Sequence, residues 1–328
     1  MSLSMSTTRP DAPPVLVADI GGTNARAGLV TEPGQAPETL FSRPTADFQG
    51  LAAFLQAAME HLGGGYAPSR AICAVASPLQ EDTVRLTNAG WIFSVSATKR
   101  SLGIDHLVLI NDWVAQGWAV TRLQGSHRLQ HNTGRPVSDA PRLALGPGTG
   151  LGSALITRCG DQWAVFATEG GHISFGITSR REAEVALHIQ ARFGHCSAER
   201  IASGVGMEAV HDALREIDGY PPQALSAETI AQKAVAGDPL CAEVLTHFTA
   251  ALGSAAGDLA LATGARGGIY LGGGIIPALG DAFDWTGFLE RFEAKGRFHD
   301  YLAAIPVYAI RHPAPALLGL SVYLEAQA

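Results

Sequence analysis

Residues 15–30 read VLVADIGGTNARAGLV. An apolar run reaches an aspartate, breaks into Gly21-Gly22-Thr23-Asn24, and resumes as a half-apolar run. Branched apolar residues on either side of a glycine turn predict two short strands, 15–19 and 25–31. A second stretch repeats the pattern: residues 143–156 read LALGPGTGLGSALI, again strand, Gly-Thr turn, strand, with Thr149 lying 126 residues after Thr23. Such a repeat points to two related half-molecules, each offering a glycine hairpin to a shared ligand. A third glycine run, Gly272-Gly273-Gly274, follows the strand pattern at 269–271.

Glycine turns beside strands suit phosphate, because backbone N–H groups approach an anion with no side chain in the way. Gly-Lys occurs nowhere in the chain, so a GxxxxGK[ST] loop is excluded. Gly146–Leu151 has leucine where a dinucleotide fingerprint needs its last glycine, and a strand pattern follows it. Two hairpins gripping a nucleotide's phosphates remain, with Asp19 either facing a magnesium ion through water, since Mg²⁺ keeps much of its hydration shell, or capping the turn as a carboxylate.

Outward from these turns the pattern alternates. Helical spacing over 51–62 stops at Gly63-Gly64-Gly65; strands are expected at 71–76 and 107–110; Ser96 is expected to cap a helix to 102, and a helix is expected over 113–123. Residues 124–141 read as loop or hairpin, 143–145 and 153–157 as strands, and 180–264 as mainly helical. That segment is interrupted at Gly204, Gly206, Pro221-Pro222 and Gly237-Asp238-Pro239. A strand at 305–310 and a helix at 316–326 close the chain. Strands and helices mixed throughout predict an α/β architecture.

Composition narrows the function. Of 328 residues 47% are hydrophobic and 16% charged, which favours a large core over disorder. The net charge is -7, and Lys99, Lys233 and Lys295 are the only lysines, so nucleic acid is not an expected partner. Cys73, Cys159, Cys196 and Cys241 lie far apart without CxxC spacing, which predicts reduced thiols in a cytoplasmic protein rather than zinc or disulfides. The polar, Pro-rich start lacks a signal peptide's apolar core, and Met5 is a candidate natural start with residues 1–4 an added segment. No apolar run approaches the ~18 residues of a membrane span.

Polar residues cluster at element ends. LVLINDWVAQGW (107–118) delivers Asn111-Asp112 to the end of a strand. A carboxylate there is placed for chemistry or for capping the next helix. ATEGGHISFG (167–176) sets Glu169 and His172 around a diglycine, and SAERIASG (197–204) adds Glu199, whose alternative role is a carboxylate in a helix's first turn. Together these acceptors and donors suit a polyol, whose hydroxyls need both.

Taken in order, these segments resemble the bacterial glucokinase family, within the superfamily of hexokinase, actin and heat-shock ATPases. The resemblance runs through ADIGGTNAR (18–26), INDW (110–113), GPGTGLG (146–152), EGGHISF (169–175), SAERIASG (197–204) and GGIYLGGGIIP (267–277). KGRF (295–298), IPVYAI (305–310) and LLG (317–319) extend it to about residues 14–325. It implies a two-lobed actin-like ATPase (ribonuclease H-like) fold with the active-site cleft between the lobes. Residues 14–122 plus 313–328 would form the smaller lobe and 123–312 the larger.

The activity implied is transfer of the γ-phosphoryl group of MgATP to the 6-hydroxyl of glucose. Asp112 would be the general base. Asn111, Glu169, His172 and Glu199 would bind glucose, with Asn88 approaching it. Asp19, Gly21, Gly22, Thr23, Asn24, Gly148, Thr149 and Gly150 would surround the phosphates, and Gly273-Gly274 would lie near the adenosine. A cytoplasmic homodimer is also implied, with no nucleic acid or membrane partner. A kinase for another hexose and a non-enzymatic sugar sensor remain open. One departure separates a related group, the ROK kinases: Gly171-His172 is followed by no cysteine cluster, so no structural zinc is expected. Pro147 also removes one backbone N–H from the second hairpin.

Overall fold

The computed structural model describes residues 13–63, 68–77, 82–86 and 90–327. Asn88, Gly64 and Gly65 lie outside them. The chain divides into two compact units, Met1–Arg122 with Pro313–Ala328, and Leu123–His312.

The first unit begins with β1 (Val15–Ile20), β2 (Asn24–Val30), β3 (Leu40–Pro44), α1 (Leu51–Leu62) and β4 (Arg70–Val75). It continues through β5 (Thr83–Leu86), β6 (Trp91–Ser94), α2 (Val95–Leu102), β7 (His106–Asn111) and α3 (Asp112–Val120). Its main sheet has the order β3-β2-β1-β4-β7, with β1, β4 and β7 parallel and β2 and β3 antiparallel additions. Side chains of β1 alternate between two layers, as a period of two demands. Leu16, Ala18 and Ile20 join Phe54 and Leu55 of α1 in one core cluster, whereas Val15 and Val17 join the cluster that holds Ala115 of α3.

The second unit opens with β8 (Arg128–Gln130), β9 (Arg142–Pro147), β10 (Leu151–Cys159) and β11 (Gln162–Thr168). Four helices follow: α4 (Arg180–Phe193), α5 (Gly204–Ile217), α6 (Ala227–Val235) and α7 (Pro239–Thr263). It ends with β12 (Ile269–Leu271), α8 (Ile275–Leu279), α9 (Trp285–Glu293), α10 (His299–Ala303) and β13 (Val307–Ile310). The sheet order is β11-β10-β9-β12-β13-β8, with β9, β12 and β13 parallel. Its first five strands repeat the directions of the first unit's sheet: two antiparallel strands, then three parallel ones. The repeat read in residues 15–30 and 143–156 therefore appears as two antiparallel glycine hairpins, β1–β2 and β9–β10. Leu143, Leu145, Ile269 and Leu271 pack with Phe248, Phe288 and Phe292 of α7 and α9.

α11 (Pro315–Ala326) completes the first unit, covering Val15 and Val17 with Leu317 and Leu320. A Cβ on Gly319 would collide with the Ala115 carbonyl of α3, so glycine sets how closely these helices meet.

Local expectations needed three adjustments. α2 is capped by Ser94, whose Oγ accepts from the Ala97 N–H at 3.0 Å, and not by Ser96. The reason is β6, absent from the sequence reading, which delivers Ser94 in extended conformation; Ser96 lies inside the helix and its N–H bonds Asp82. Gly204 and Gly206 do not interrupt a helix but begin α5, with Ser203 as cap. Residues 124–141 contain the short edge strand β8.

Candidate active site

In the first unit the parallel strands β1, β4 and β7 bring their carboxyl ends to one edge of the sheet, where open α/β sheets bind ligands. The β1–β2 turn and Asn111-Asp112 stand at that edge. The turn is built to keep its tip open. Gly21 N–H donates to the Asn24 carbonyl at 3.0 Å. Thr45 clamps it from 24 residues away, its hydroxyl donating to the Gly21 carbonyl at 3.0 Å and its N–H to the Thr23 carbonyl at 2.9 Å. Thr23 and Asn24 are left exposed. No local feature of the sequence marks Thr45 for this role.

Asn111, not Asp112, caps α3. Its Oδ1 accepts from Trp113 N–H at 2.9 Å and Val114 N–H at 3.2 Å. Its amide nitrogen is thus the group left to meet a hydroxyl. Asp112 is the first helical residue, and its Oδ1 accepts from Trp113 N–H at 3.0 Å. The capping alternative for Asp112 falls away, because its neighbour fills that role.

Asp19 shares the strand face of Val15 and Val17, the face on which α3 lies. It sits deep among protein atoms but keeps some solvent access. Burial pushes its carboxyl up to about 6; the Asp112 charge adds to the rise and Arg26 opposes it. Two carboxylates that disfavour each other's charge make a fitting place for a cation. Among the described residues no group of three or more His, Cys, Asp or Glu could hold a metal. A pair of carboxylates matches the needs of Mg²⁺, which takes one or two protein carboxylates and keeps waters and phosphate oxygens.

In the second unit three segments meet. The β9–β10 turn is closed by Gly148 N–H donating to the Gly150 carbonyl at 2.8 Å, with Thr149 exposed at its tip. Glu199 Oε2 accepts from the Leu151 N–H at 2.9 Å, and a Cβ on Gly150 would collide with that carboxylate. A charge-assisted bond of this kind contributes about 1.5–3 kcal/mol. Glu199 N–H donates to the Gly171 carbonyl at 2.9 Å, and Gly204 N–H to the Gly148 carbonyl at 2.9 Å. His172 stands between two carboxylates, its Nε2 3.7 Å from Glu169 Oε2 and its Nδ1 3.9 Å from Glu199 Oε1. Both separations exceed a hydrogen bond. The side chain of Glu199 is 22% exposed and that of Glu169 81%, so the first is a fixed acceptor and the second an open one. Glu199 lies in the turn before α5, five residues ahead of its start, so it is not a first-turn helix carboxylate.

The third glycine run joins them. Gly273 has φ +82°, and a Cβ there would run into the Pro147 carbonyl. Only glycine takes that conformation at so close an approach. Gly274 next to it has open space around its Cα. Beside Gly274 opens a cavity of about 610 Å³, lined by Met207 of α5, Ala227, Ala231 and Val235 of α6, and Ile275 and Ala278 of α8. Glu228 and Gln232, hydrogen-bonded to each other at 3.2 Å, are its polar groups. The sequence reading missed this cavity. No local feature of the sequence marks it, because its walls come from three helices far apart in the chain. Asn88 lies outside the described residues.

The family model for glucokinase matches residues 16–327. A glucokinase of Aromatoleum aromaticum is 44% identical, the match covering 98% of this chain and 97% of that protein. The crystal structure of a glucokinase from an Antarctic psychrotroph superposes with a TM-score of 0.83 at 34% identity, covering 96% of this chain and 99% of the other. A ROK family glucokinase from Streptomyces griseus, solved with glucose and AMPPNP, shares the fold at a TM-score of 0.60 and 19% identity, covering 96% of this chain and 100% of the other. The architecture is the α/β fold of the actin-like ATPases, repeated in the two units. With its ordered motifs and this match over nearly its whole length, the chain belongs to the glucokinase family.

Proposed function

We propose that the protein transfers the γ-phosphoryl group of ATP to the 6-hydroxyl of glucose. One observation carries the reading: in the second unit Glu199 is hydrogen-bonded at once to the phosphate-type hairpin and to the Glu169–His172 segment, so a polyol site and an anion site share a wall. Glu169, His172 and Glu199 offer that site two carboxylates and an imidazole for sugar hydroxyls. In the first unit Asn111 carries an amide N–H₂ suited to a sugar hydroxyl. Polar groups so arranged discriminate strongly against sugars lacking a hydroxyl, because they would be left unpaired.

Asp112 is the base. It accepts the proton of the 6-hydroxyl as the oxygen attacks phosphorus and the bond to the leaving diphosphate breaks. Its link to Trp113 N–H holds the carboxylate in place. Of the hairpin residues, Gly22, Thr23, Asn24, Thr149 and Gly150 offer the phosphates backbone N–H groups and hydroxyls, while Gly21 and Gly148, whose N–H groups close their turns, let the phosphates approach. The apolar cavity beside Gly274 seats the adenine ring. Asp19 would hold Mg²⁺ through water, and the ion would supply neutralisation of phosphate charge. The resemblance that supports these roles also supports a cytoplasmic homodimer. Among the described residues no helix is long and apolar enough to cross a membrane, and the charge of -7 disfavours nucleic acid.

The test is ATP-dependent phosphorylation across a panel of hexoses, with glucose 6-phosphate read by a coupled dehydrogenase. Strong turnover on glucose over other hexoses is expected. Preference for another hexose would move the substrate assignment, and glucose binding without turnover would point to a sensor.

A further inference from the structure

A second cavity in the unit Leu123–His312 lies away from the glycine hairpins. It has a volume of about 300 Å³ and is lined by Thr133, Gly134, Arg135 and Val137 on one side and by Arg266 and residues 303–305 on the other. Arg266 precedes β12, whereas Gly272-Gly273-Gly274 follows it, so the length of that strand, roughly 10 Å, separates this cavity from the proposed nucleotide site.

Three features make it a built site for an anion. The first is charge. Arg135 and Arg266 are exposed, no carboxylate lines the cavity, and among the described residues neither guanidinium makes a hydrogen bond or ion pair. Arg266 does lie over the Tyr301 ring, 5.6 Å from its centroid, which orients the guanidinium without neutralising it. Arg158, Arg181, Arg192 and Arg291 of the same unit, by contrast, are each neutralised by a carboxylate. Two arginines without a carboxylate partner thus share one cavity, in a chain of net charge -7.

The second feature is rigidity. Asn132 Nδ2 donates to the Ile305 carbonyl at 2.8 Å, and its Oδ1 accepts from Val307 N–H at 3.0 Å. Arg135 N–H donates to the Ala304 carbonyl and Val137 N–H to the Arg266 carbonyl, each at 3.0 Å. Gly134 is pressed against the Ile305–Pro306 backbone, where a Cβ would stand 2.5 Å from Ile305 C. The walls are thus set before any ligand arrives, which spares the ordering cost of binding. The third is chemistry and size. Guanidinium forks match the oxygens of a phosphate dianion, and the Thr133 hydroxyl is a further donor. Val137, Ala303 and Ile305 offer apolar contact for a few carbon atoms, in a volume at the small end of ligand sites.

We propose that this cavity is a second ligand site, taking a small phosphate monoester or inorganic phosphate. The site does not depend on the glucokinase mechanism above. The experiment is calorimetric titration of the full chain with inorganic phosphate and with glycerol phosphate, at constant ionic strength. Saturating glucose and AMPPNP are present so that the proposed nucleotide site is filled. Wild type should bind one equivalent. Arg135→Gln and Arg266→Gln should each weaken binding about ten-fold or more, and the double variant should abolish it. Val137→Glu, which alters neither arginine, should abolish it by repulsion. Arg180→Gln, which removes an equal charge elsewhere, should titrate as wild type. Initial rates without phosphate should be the same in all five variants and wild type. Tighter binding of glycerol phosphate than of phosphate would identify an ester as the ligand, and the reverse would identify the free ion. Equal binding by wild type and the double variant, or an equal loss in Arg180→Gln, would overturn the site.

Discussion

Asp112 owes its position to its neighbour. Asn111 takes the capping bonds of α3, so Asp112 stands as the first helical residue with its carboxylate anchored to Trp113 N–H. Replacing it with Asn keeps size and fold but removes the proton acceptor. Asp112→Asn should lower turnover about 10²–10⁴-fold while glucose still binds, checked by steady-state rates beside calorimetric binding. Near-normal turnover would remove Asp112 from the mechanism. Asp19 makes a pH prediction. Its carboxyl is raised from 3.8 to about 6 by burial and by the Asp112 charge, against the pull of Arg26. Above about pH 6 the fold therefore holds an ionised group that it disfavours, and below the unfolded value of 3.8 both states are protonated and the penalty vanishes. A two-unit rise corresponds to about 3 kcal/mol, an upper figure for a side chain with some solvent access. Asp19→Asn should then raise the melting temperature at pH 8 in metal-free buffer, the gain shrinking toward zero by pH 4. Activity should fall, since the charge disfavoured by the fold is the one proposed to attract Mg²⁺. A gain independent of pH would mean that the benefit comes from something other than the lost charge.

At the scale of elements, the hairpins and the helix contacts rest on residues chosen for what they leave out. Gly273 is required by its left-handed backbone against Pro147, and Gly150 by the carboxylate of Glu199. Gly319 is required by packing, because α11 lies so close to α3 that a methyl group would overlap the Ala115 carbonyl. Gly319→Ala should cost about 3 kcal/mol, at the upper end of overpacking penalties, even though alanine is the better helix former. Urea unfolding would measure it, and an unchanged midpoint would show that the two helices can part at no cost. Thr45 and Asn132 make the same point with hydrogen bonds: each holds a distant turn in shape, and neither belongs to a motif.

Across the whole molecule the cores follow the division of the chain. One cluster, from Leu143 to Val307, lies wholly within Leu123–His312, and that unit also contains its complete six-stranded sheet. The other two clusters belong to the unit formed from both ends of the chain, and one of them needs Leu317, Leu320 and Leu324 of α11 to cover Val15 and Val17. A fragment of residues 123–312 should therefore melt cooperatively by circular dichroism while lacking kinase activity. A fragment ending at residue 122 should not, because the sheet face shared by α3 and α11 would keep only α3. A featureless melt of the 123–312 fragment would mean that its core is insufficient alone.

What the sequence determined by itself follows from short-range rules. Alternation in residues 15–20, the glycine turns at 21–24 and 148–150, and the strand ending at Asn111-Asp112 each lie within a few residues, where backbone geometry and burial period decide the outcome. The family was legible for the same reason, since its motifs are local and ordered along the chain. Tertiary structure alone decided which of two neighbours caps α3. It also decided that Glu199 reaches back 48 residues to Leu151, and that α6 and α8 enclose a cavity beside Gly274. It alone set Arg135 and Arg266 around one pocket. Each of these joins residues far apart in sequence, and such meetings depend on how sheets and helices pack, a matter on which periodicity and turn chemistry are silent.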